Sequence, residues 1–270
     1  MIVIGEKLNA TRKSVAAALR DRDEAFVQEL VQAQEQAGAG VIDINAGTGK
    51  DAASAADDML WLCRVARKVT QKPLALDSEE PGVLAAGLSL QSGPPAWINS
   101  VSAEKRRMEG VLPLAKRHGC PLVCLCMDDS GIPRDAASRM KAARAIYDAA
   151  LATGIAPGSL FFDPLAMPLG ADPHAGKLAL SALASIKSEF PGAHTVVGLS
   201  NISFGLPQRP AVNASFLVLC AQAGLDAVIC DPLDEPLMMG LLAAEALLGR
   251  DPWCARYIAG FRKRKKGETK

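Results

Sequence analysis

Eight apolar runs, each followed by a segment with helical periodicity, divide the chain into eight strand-then-helix units. Strands that alternate with helices at this interval favour a closed parallel barrel, and the 270 residues match the length of about 250 that is common for such barrels. The strands are predicted at residues 1–5, 41–44, 73–76, 96–98, 121–126 and 160–162, in a run that begins at residue 196, and at 227–230. The predicted fold class is therefore α/β, a (β/α)8 TIM barrel of a single domain.

Helical spacing of apolar residues predicts the elements between the strands. One helix follows Asp23 and ends at Gly38, and Pro81 opens a short one. The others are predicted at 52–69, 108–117, 136–152, 175–190, 211–223 and 236–248. No internal repeat or Gly/Ser-rich linker divides the chain. We expect the barrel to span residues 1–261, and residues 262–270, which begin with the basic run RKRKK, to form a solvated basic tail. Contact of this tail with an acidic partner is the alternative.

Composition excludes several classes of partner. The formal net charge of +1 gives no global field that would attract nucleic acid or a membrane surface. The chain shows no secretory signal at its start and no apolar run long enough to cross a bilayer, so a cytoplasmic protein is expected. Seven scattered cysteines fit a reducing compartment. Cys124 and Cys126 are expected to be core thiols, because no second Cys or His pair at zinc spacing accompanies them.

Polar side chains follow nearly every predicted strand, at the end of the barrel where such folds carry their chemistry. These strand ends carry Glu6, Asn9, Asn45, Asp77, Asn99, Asp128, Asp163, Asn201 and Asp231. Scarcely a Lys, Arg or His stands among them. A ring of carboxylates and amides suits a neutral heterocycle with several N–H groups, such as a 2-amino-4-oxo pyrimidine edge, and does not suit a phosphate.

Asn201 is the residue of this ring with the most specific chemistry. Its amide both donates and accepts, so it can follow a proton that comes and goes on a substrate nitrogen without carrying charge itself. The alternative is that Asn201 caps the next helix, and the same alternative holds for Asn45 and Asp231. A divalent-metal site is a further alternative, since hard cations bind carboxylate oxygens. Because carboxylates alternate with amides around the ring, no metal is expected.

Six motifs, one at the end of each of six strands, resemble those of the methyltetrahydrofolate:corrinoid methyltransferases. They are GEKLN at 5–9, DINAG at 43–47, LDS at 76–78, INS at 98–100, FDP at 162–164 and GLSNIS at 198–203. The resemblance extends from residue 1 to about residue 261 and includes Arg209 and the segment around Asp234. It implies a pterin-binding barrel that moves the N5 methyl group between tetrahydrofolate and the cobalt of a corrinoid carried by a separate protein, with the direction open. It also implies a homodimer formed through barrel helices.

The resemblance assigns roles to matching residues. Asp77, Asn99 and Asp163 hold the pterin by its pyrimidine edge, and Asn201 contacts N5. Gly198, Ser200 and Arg209 complete the pocket. A tertiary amine is a poor leaving group, so the site must stabilise N5–H⁺ more in the transition state than in the ground state. The carbonyl oxygen of Asn201 can do this, with a nearby carboxylate or water as the source of the proton. Asn201 and Asp77 are the expected catalytic residues.

Two positions of the sequence depart from the family pattern. Phe204 and Asp128 stand where amides are usual, and Phe204 offers a stacking face in place of a hydrogen-bond partner.

Dihydropteroate synthase is an alternative, because the chain also resembles its barrel. That enzyme is expected to have a Lys near the end of strand seven and an Arg-x-His near strand eight, and this sequence has neither. His174 lies in a near match to the Asp-x-His-x-x-Gly corrinoid signature whose glycine is one residue early, so His174 is expected to be a loop or first-turn residue. The alternative of a different class is a non-catalytic folate-binding subunit of a corrinoid complex.

Overall fold

The computed structural model describes residues 1–47, 51–90 and 93–268. Eight parallel strands pair in the order of the sequence, and the last pairs with the first, so the sheet closes into a barrel. The strands are β1 (Ile2–Asn9), β2 (Val41–Asn45), β3 (Leu74–Asp77), β4 (Trp97–Ser102), β5 (Leu122–Leu125), β6 (Leu160–Asp163), β7 (His194–Gly198) and β8 (Ala227–Cys230). The predicted single-domain (β/α)8 fold is confirmed.

Helices follow the strands and cover the outside of the barrel. They are α1 (Lys13–Asp21), α2 (Glu24–Ala37), α3 (Ala52–Arg67), α4 (Pro81–Ser89), α5 (Lys105–His118), α6 (Ala136–Ala152), α7 (Ala175–Glu189), α8 (Arg209–Gln222), α9 (Glu235–Leu247) and α10 (Ala255–Glu268). Helix α1 is missing from the sequence prediction. It has only nine residues and buries only Val15, Ala18 and Leu19, and its N-cap Arg12 makes no side-chain hydrogen bond, so the sequence carries no start signal for it.

The last described segment of the chain is a helix. Helix α10 crosses residue 261, so residues 262–268 are helical, and Arg262 and Lys263 are exposed. The buried carboxylate of Asp251 starts this helix, because it accepts hydrogen bonds from the backbone N–H groups of Arg256 (3.0 Å) and Tyr257 (2.9 Å). Residues 269 and 270 lie outside the described residues.

An apolar layer fills the barrel interior and fixes where the polar end begins. It consists of Ile4, Val41, Ala75, Trp97, Val123, Phe161, Val196 and Ala227, one residue from each strand. Side chains alternate across a strand, so the residue two positions further along points into the same interior. Those residues are Glu6, Asp43, Asp77, Asn99, Leu125, Asp163, Gly198 and Ile229. The next layer of the interior is therefore mostly polar.

Cys124 and Cys126 are buried, and burial raises the pKa of both thiols, as expected of core cysteines. Within the described ranges, no helix is long and apolar enough to cross a membrane.

Candidate functional site

The carboxyl ends of the strands enclose a cavity of about 580 Å³, a size that fits a small-molecule ligand. All eight residues of the second interior layer line it. The rest of the lining consists of strand residues Asn9, Ser100 and Ser102, Arg107 of α5, and Ser78, Glu79, Glu104, Met127, Leu165, Ser200 and Asn201 from the segments that follow the strands. Of the residues that the sequence assigns to the site, this cavity brings together Asp77, Asn99, Asp163, Gly198, Ser200 and Asn201. Arg209 is not among the lining residues.

Two carboxylate–amide pairs shape the wall formed by β2, β3 and β4. Asn99 Nδ2 donates to Asp43 Oδ1 at 3.0 Å, and Asn45 Nδ2 donates to Asp77 Oδ2 at 2.7 Å. Each amide nitrogen is thereby engaged and its orientation fixed. The second oxygen of each carboxylate remains available to accept from the N–H groups of a ligand.

Asp163, at the end of β6, is held by backbone groups. The N–H of Leu165 donates to its Oδ1 at 2.7 Å, and the N–H of Gly198 donates to its Oδ2 at 3.2 Å. The turn that presents Leu165 is anchored by the buried Arg139 of α6, whose Nη1 donates to the carbonyls of Pro164 (2.6 Å) and Leu165 (2.8 Å). Arg139 therefore positions this carboxylate without lining the cavity.

Gly198 brings Asn201 and Asp163 to the same spot. A Cβ at position 198 would lie 3.2 Å from Asn201 Nδ2 and 3.8 Å from Asp163 Oδ2, so the two side chains converge over a residue that has none. Asn201 ends a single 3-10 turn (Leu199–Asn201), while α8 begins only at Arg209 and has Gln208 as its N-cap. The helix-cap interpretation of Asn201 is therefore wrong, and its amide faces the cavity.

The loop after β7 is fixed from both sides. Ser200 Oγ donates to Glu6 Oε1 of β1 at 2.7 Å. Arg209 donates to the carbonyl of Ser200 at 2.8 Å and to Ser203 Oγ at 3.0 Å. Arg209 thus holds the loop that carries Ser200 and Asn201. The resemblance instead implies that Arg209 forms part of the pocket wall.

Three members of the predicted ring lie outside the cavity lining because they hold turns. Asp128 accepts from the N–H of Ser130 at 2.9 Å. Asp231 accepts from the N–H of Leu233 at 2.9 Å and from Lys7 Nζ at 2.7 Å. Asn45 accepts from the N–H of Gly47 at 2.8 Å, beside its bond to Asp77. Neither Asn45 nor Asp231 is the N-cap of the helix that follows, since those caps are Asp51 and Asp234.

The cavity is strongly acidic. The carboxylates that line it are those of Glu6, Asp43, Asp77, Glu79, Glu104 and Asp163, and among the described lining residues Arg107 is the single cation. Burial raises the pKa of Glu6, Asp43 and Asp77, and the charge of Asp77 raises that of Asp43 further. Burial also raises the pKa of Asp163 to about 6, against the lowering effect of the Leu165 and Gly198 N–H groups. Within the described residues, no group of three His, Cys, Asp or Glu could hold a metal ion.

The substitution Asp43→Asn is expected to stabilise the protein at pH 8. Because the folded state raises the pKa of Asp43, it binds more protons than the unfolded chain above pH about 4, and the free energy of unfolding falls as pH rises. Asparagine keeps the acceptor for Asn99 and removes the buried charge. A gain of about 1–2 kcal/mol, or a few degrees in Tm, is expected at pH 8 and should vanish near pH 4.

Thermal unfolding followed by circular dichroism across this pH range measures the effect. Asp129→Asn, on an exposed carboxylate of the loop after β5, is the matched control. A variant that melts below the wild type at pH 8 would show that the Asp43 charge is not a destabilising group.

The fold and this site define a (β/α)8 barrel with an acid-lined cavity of small-molecule size at the carboxyl ends of its strands. The family model of pterin binding enzymes matches residues 5–231, and the chain belongs to this family. It is 34% identical over 269 residues to the methylcorrinoid:tetrahydrofolate methyltransferase of Eubacterium limosum, covering 99% of this chain and 98% of that one. It is 32% identical to the methionine synthase of Mycobacterium tuberculosis, over 85% of this chain and 20% of that protein.

Solved structures share the fold at low identity. Dihydropteroate synthase of Xanthomonas albilineans superposes with a TM-score of 0.73 at 21% identity, covering 93% of each chain. The Yersinia pestis enzyme gives a TM-score of 0.68 at 20% identity, covering 92% of this chain and 93% of that one.

Proposed function

We propose that this protein is a methyltransferase that moves a methyl group between a corrinoid and N5 of tetrahydrofolate. The observation that carries the proposal is the convergence of the Asn201 amide and the Asp163 carboxylate over Gly198, at the mouth of an acid-lined cavity that fits a pterin ring. The relative from Eubacterium limosum is named for the same reaction and matches nearly end to end.

The carboxylates bind and orient the pterin. Its 2-amino group and ring N–H donate to Asp77 and Asp163, and Asn99, held by Asp43, completes the pyrimidine edge. These bonds also relieve the cost of burying ionised carboxylates, because each negative oxygen gains a donor in place of lost water. An acidic cavity without a Lys or His among its described lining residues has little affinity for a phosphate.

In the direction from methylcorrinoid to tetrahydrofolate, the N5 lone pair attacks the methyl carbon. The C–Co bond breaks and leaves its electron pair on cobalt, so Co(III) becomes Co(I), and N5 gains a positive charge that is lost with its proton. Asn201 accepts a hydrogen bond from N5–H⁺ with its carbonyl oxygen and so stabilises the charge where it develops. Water at the cavity mouth can take up the proton, since the Asp163 carboxylate is already engaged by the pyrimidine edge. Asp77 keeps the pterin in place, and the reverse transfer uses the same groups.

A spectroscopic assay with purified protein, methylcobalamin and tetrahydrofolate tests the proposal. The expected result is the appearance of cob(I)alamin absorbance, together with 5-methyltetrahydrofolate in the product. Tetrahydrofolate binding without any cobalt signal would overturn the proposed transfer in favour of a non-catalytic pterin-binding subunit. No binding of tetrahydrofolate would overturn the pterin site itself.

We also propose that the corrinoid is supplied by a separate carrier protein, in the cytoplasm, and that the enzyme is a homodimer. Support for the carrier comes from the Eubacterium limosum relative, which is named for a methylcorrinoid substrate and matches this chain nearly end to end. Support for the dimer comes from the outer face of α8, where Leu219 is 53% exposed beside a cleft lined by Leu180 and Phe216. Such a face can pair with itself across a two-fold axis.

A further inference from the structure

The rim of the cavity exposes large apolar side chains on one half only. Ile132 follows β5, Phe204 follows β7 and Leu233 follows β8, and these side chains are 43%, 67% and 38% exposed. The described parts of the loops after β1 to β4 expose none. Their exposed side chains are polar or charged: Thr11, Arg12, Asp51, Glu79 and Glu80. We call Ile132, Phe204 and Leu233 the apolar half-rim.

Phe204 is tied rigidly to the reacting end of the site. Its N–H donates to the carbonyl of Asn201 at 3.1 Å, so the ring stands one turn from the amide assigned to N5. Ile202 and Ser203, which lie between them, are buried, and Arg209 holds the Ser203 hydroxyl. An exposed aromatic ring on a fixed loop loses few degrees of freedom on binding, which favours its use as a contact.

We propose that the apolar half-rim receives the face of the corrin macrocycle that carries the methyl group. This inference rests on the proposed function. The methyl carbon must reach N5 inside the cavity, so the flat macrocycle around cobalt must lie across the mouth. The face of the corrin and its peripheral methyl groups are apolar and can contact the apolar half-rim. Its peripheral amide side chains can form hydrogen bonds with the polar side chains on the other half of the rim. The formally cationic cobalt centre then lies over an acid-lined cavity, so the charges are complementary as well.

The test uses methylcobalamin as the probe and the variant Phe204→Asn. Loss of an aromatic contact that becomes buried only when the corrin binds is expected to raise the KM for methylcobalamin about tenfold, with a smaller change in kcat. Equilibrium dialysis should show methylcobalamin binding weakened by a similar factor, whether or not turnover occurs. The dissociation constant for tetrahydrofolate should stay within about twofold of the wild type, because Phe204 is not a lining residue of the pterin cavity.

Leu247→Asn is the matched control, since Leu247 is 82% exposed at the C-terminal end of α9, the end opposite the strand-end loops. Unchanged KM and unchanged dialysis for Phe204→Asn would overturn the inference and leave the proposed function intact. Equal losses in Phe204→Asn and Leu247→Asn would also overturn it. A wild type that gives no cob(I)alamin but whose methylcobalamin binding depends on Phe204 would overturn the proposed function and support the docking surface.

Discussion

Replacing Asn201 by alanine is expected to lower the rate constant of methyl transfer by about 10²- to 10³-fold, while the dissociation constant for tetrahydrofolate changes by less than about threefold. This is the effect of removing one preorganised dipole that faces a developing charge. The Asn201 side chain makes no hydrogen bond with any described residue, and it is exposed at the cavity mouth, so its loss leaves no group unpaired. The loss therefore falls on the transition state and not on the ground state.

Single-turnover measurements of cob(I)alamin formation, beside a fluorescence titration with tetrahydrofolate, separate these two quantities. Asn99→Ala is the informative comparison, because it removes a pyrimidine-edge contact and leaves Asp43 without its donor. It should weaken tetrahydrofolate binding more than it slows the transfer step. If Asn201→Ala loses binding in the same proportion as rate, Asn201 is a binding residue and the charge at N5 is stabilised elsewhere.

The barrel could be predicted from the sequence because its signal is repeated eight times, and an error in one unit leaves the pattern intact. The strand-end residues were predictable for the same reason: Asp77, Asn99 and Asp163 each come directly after an apolar run and each lines the cavity. Local features were less predictable. Helix α1 buries only three side chains, and Asp128 turns its carboxylate to Ser130, a choice of hydrogen-bond partner that no spacing rule reveals.

Asp43 and Glu6 show what the sequence analysis missed and what could have found it. Both lie within their strands in the structure and not after them. The prediction from sequence used the polar residues that follow the predicted strands, so it gave no role to Asp43 and included Glu6 only as one member of the polar ring. Each stands two positions beyond an interior apolar residue, Val41 or Ile4, and strand alternation places both in the cavity wall. The carboxylate of Asp43 is buried and no cation is among its hydrogen-bond partners. Such a group indicates a site for a ligand that donates hydrogen bonds.

The same carboxylates set a conflict between stability and binding. Burial raises the pKa of Glu6, Asp43, Asp77 and Asp163, so the empty site holds groups that would be more stable in water or protonated. A ligand rich in N–H groups removes this cost when it binds. Tetrahydrofolate is thus expected to stabilise the fold more at pH 8 than at pH 5. Its affinity includes the free energy released when the buried, ionised carboxylates gain hydrogen-bond donors.

Asp163→Asn is expected to raise the dissociation constant for tetrahydrofolate by about 100-fold at pH 7.5. The variant loses the negative charge that strengthens each hydrogen bond from the pterin, and its amide nitrogen cannot accept from the N–H of Gly198. Below pH 6 the wild-type carboxylate takes up a proton and ceases to be an acceptor of full strength, so wild-type affinity should fall by up to about tenfold per pH unit there.

Comparison of this bend between the wild type and Asp163→Asn separates Asp163 from Glu6, Asp43 and Asp77, whose pKa values burial also raises. Arg139, Cys126 and Cys220 interact with this carboxyl through charge, and none of them changes charge near pH 6, since the guanidinium stays protonated and burial raises the pKa of both thiols. The bend should therefore disappear in Asp163→Asn and persist in the control Asp129→Asn. Titrations from pH 5 to 8, with circular dichroism to verify folding, measure it. A variant that loses affinity but keeps the bend would mean that another carboxyl of the ring, and not Asp163, accepts the N–H of the pterin.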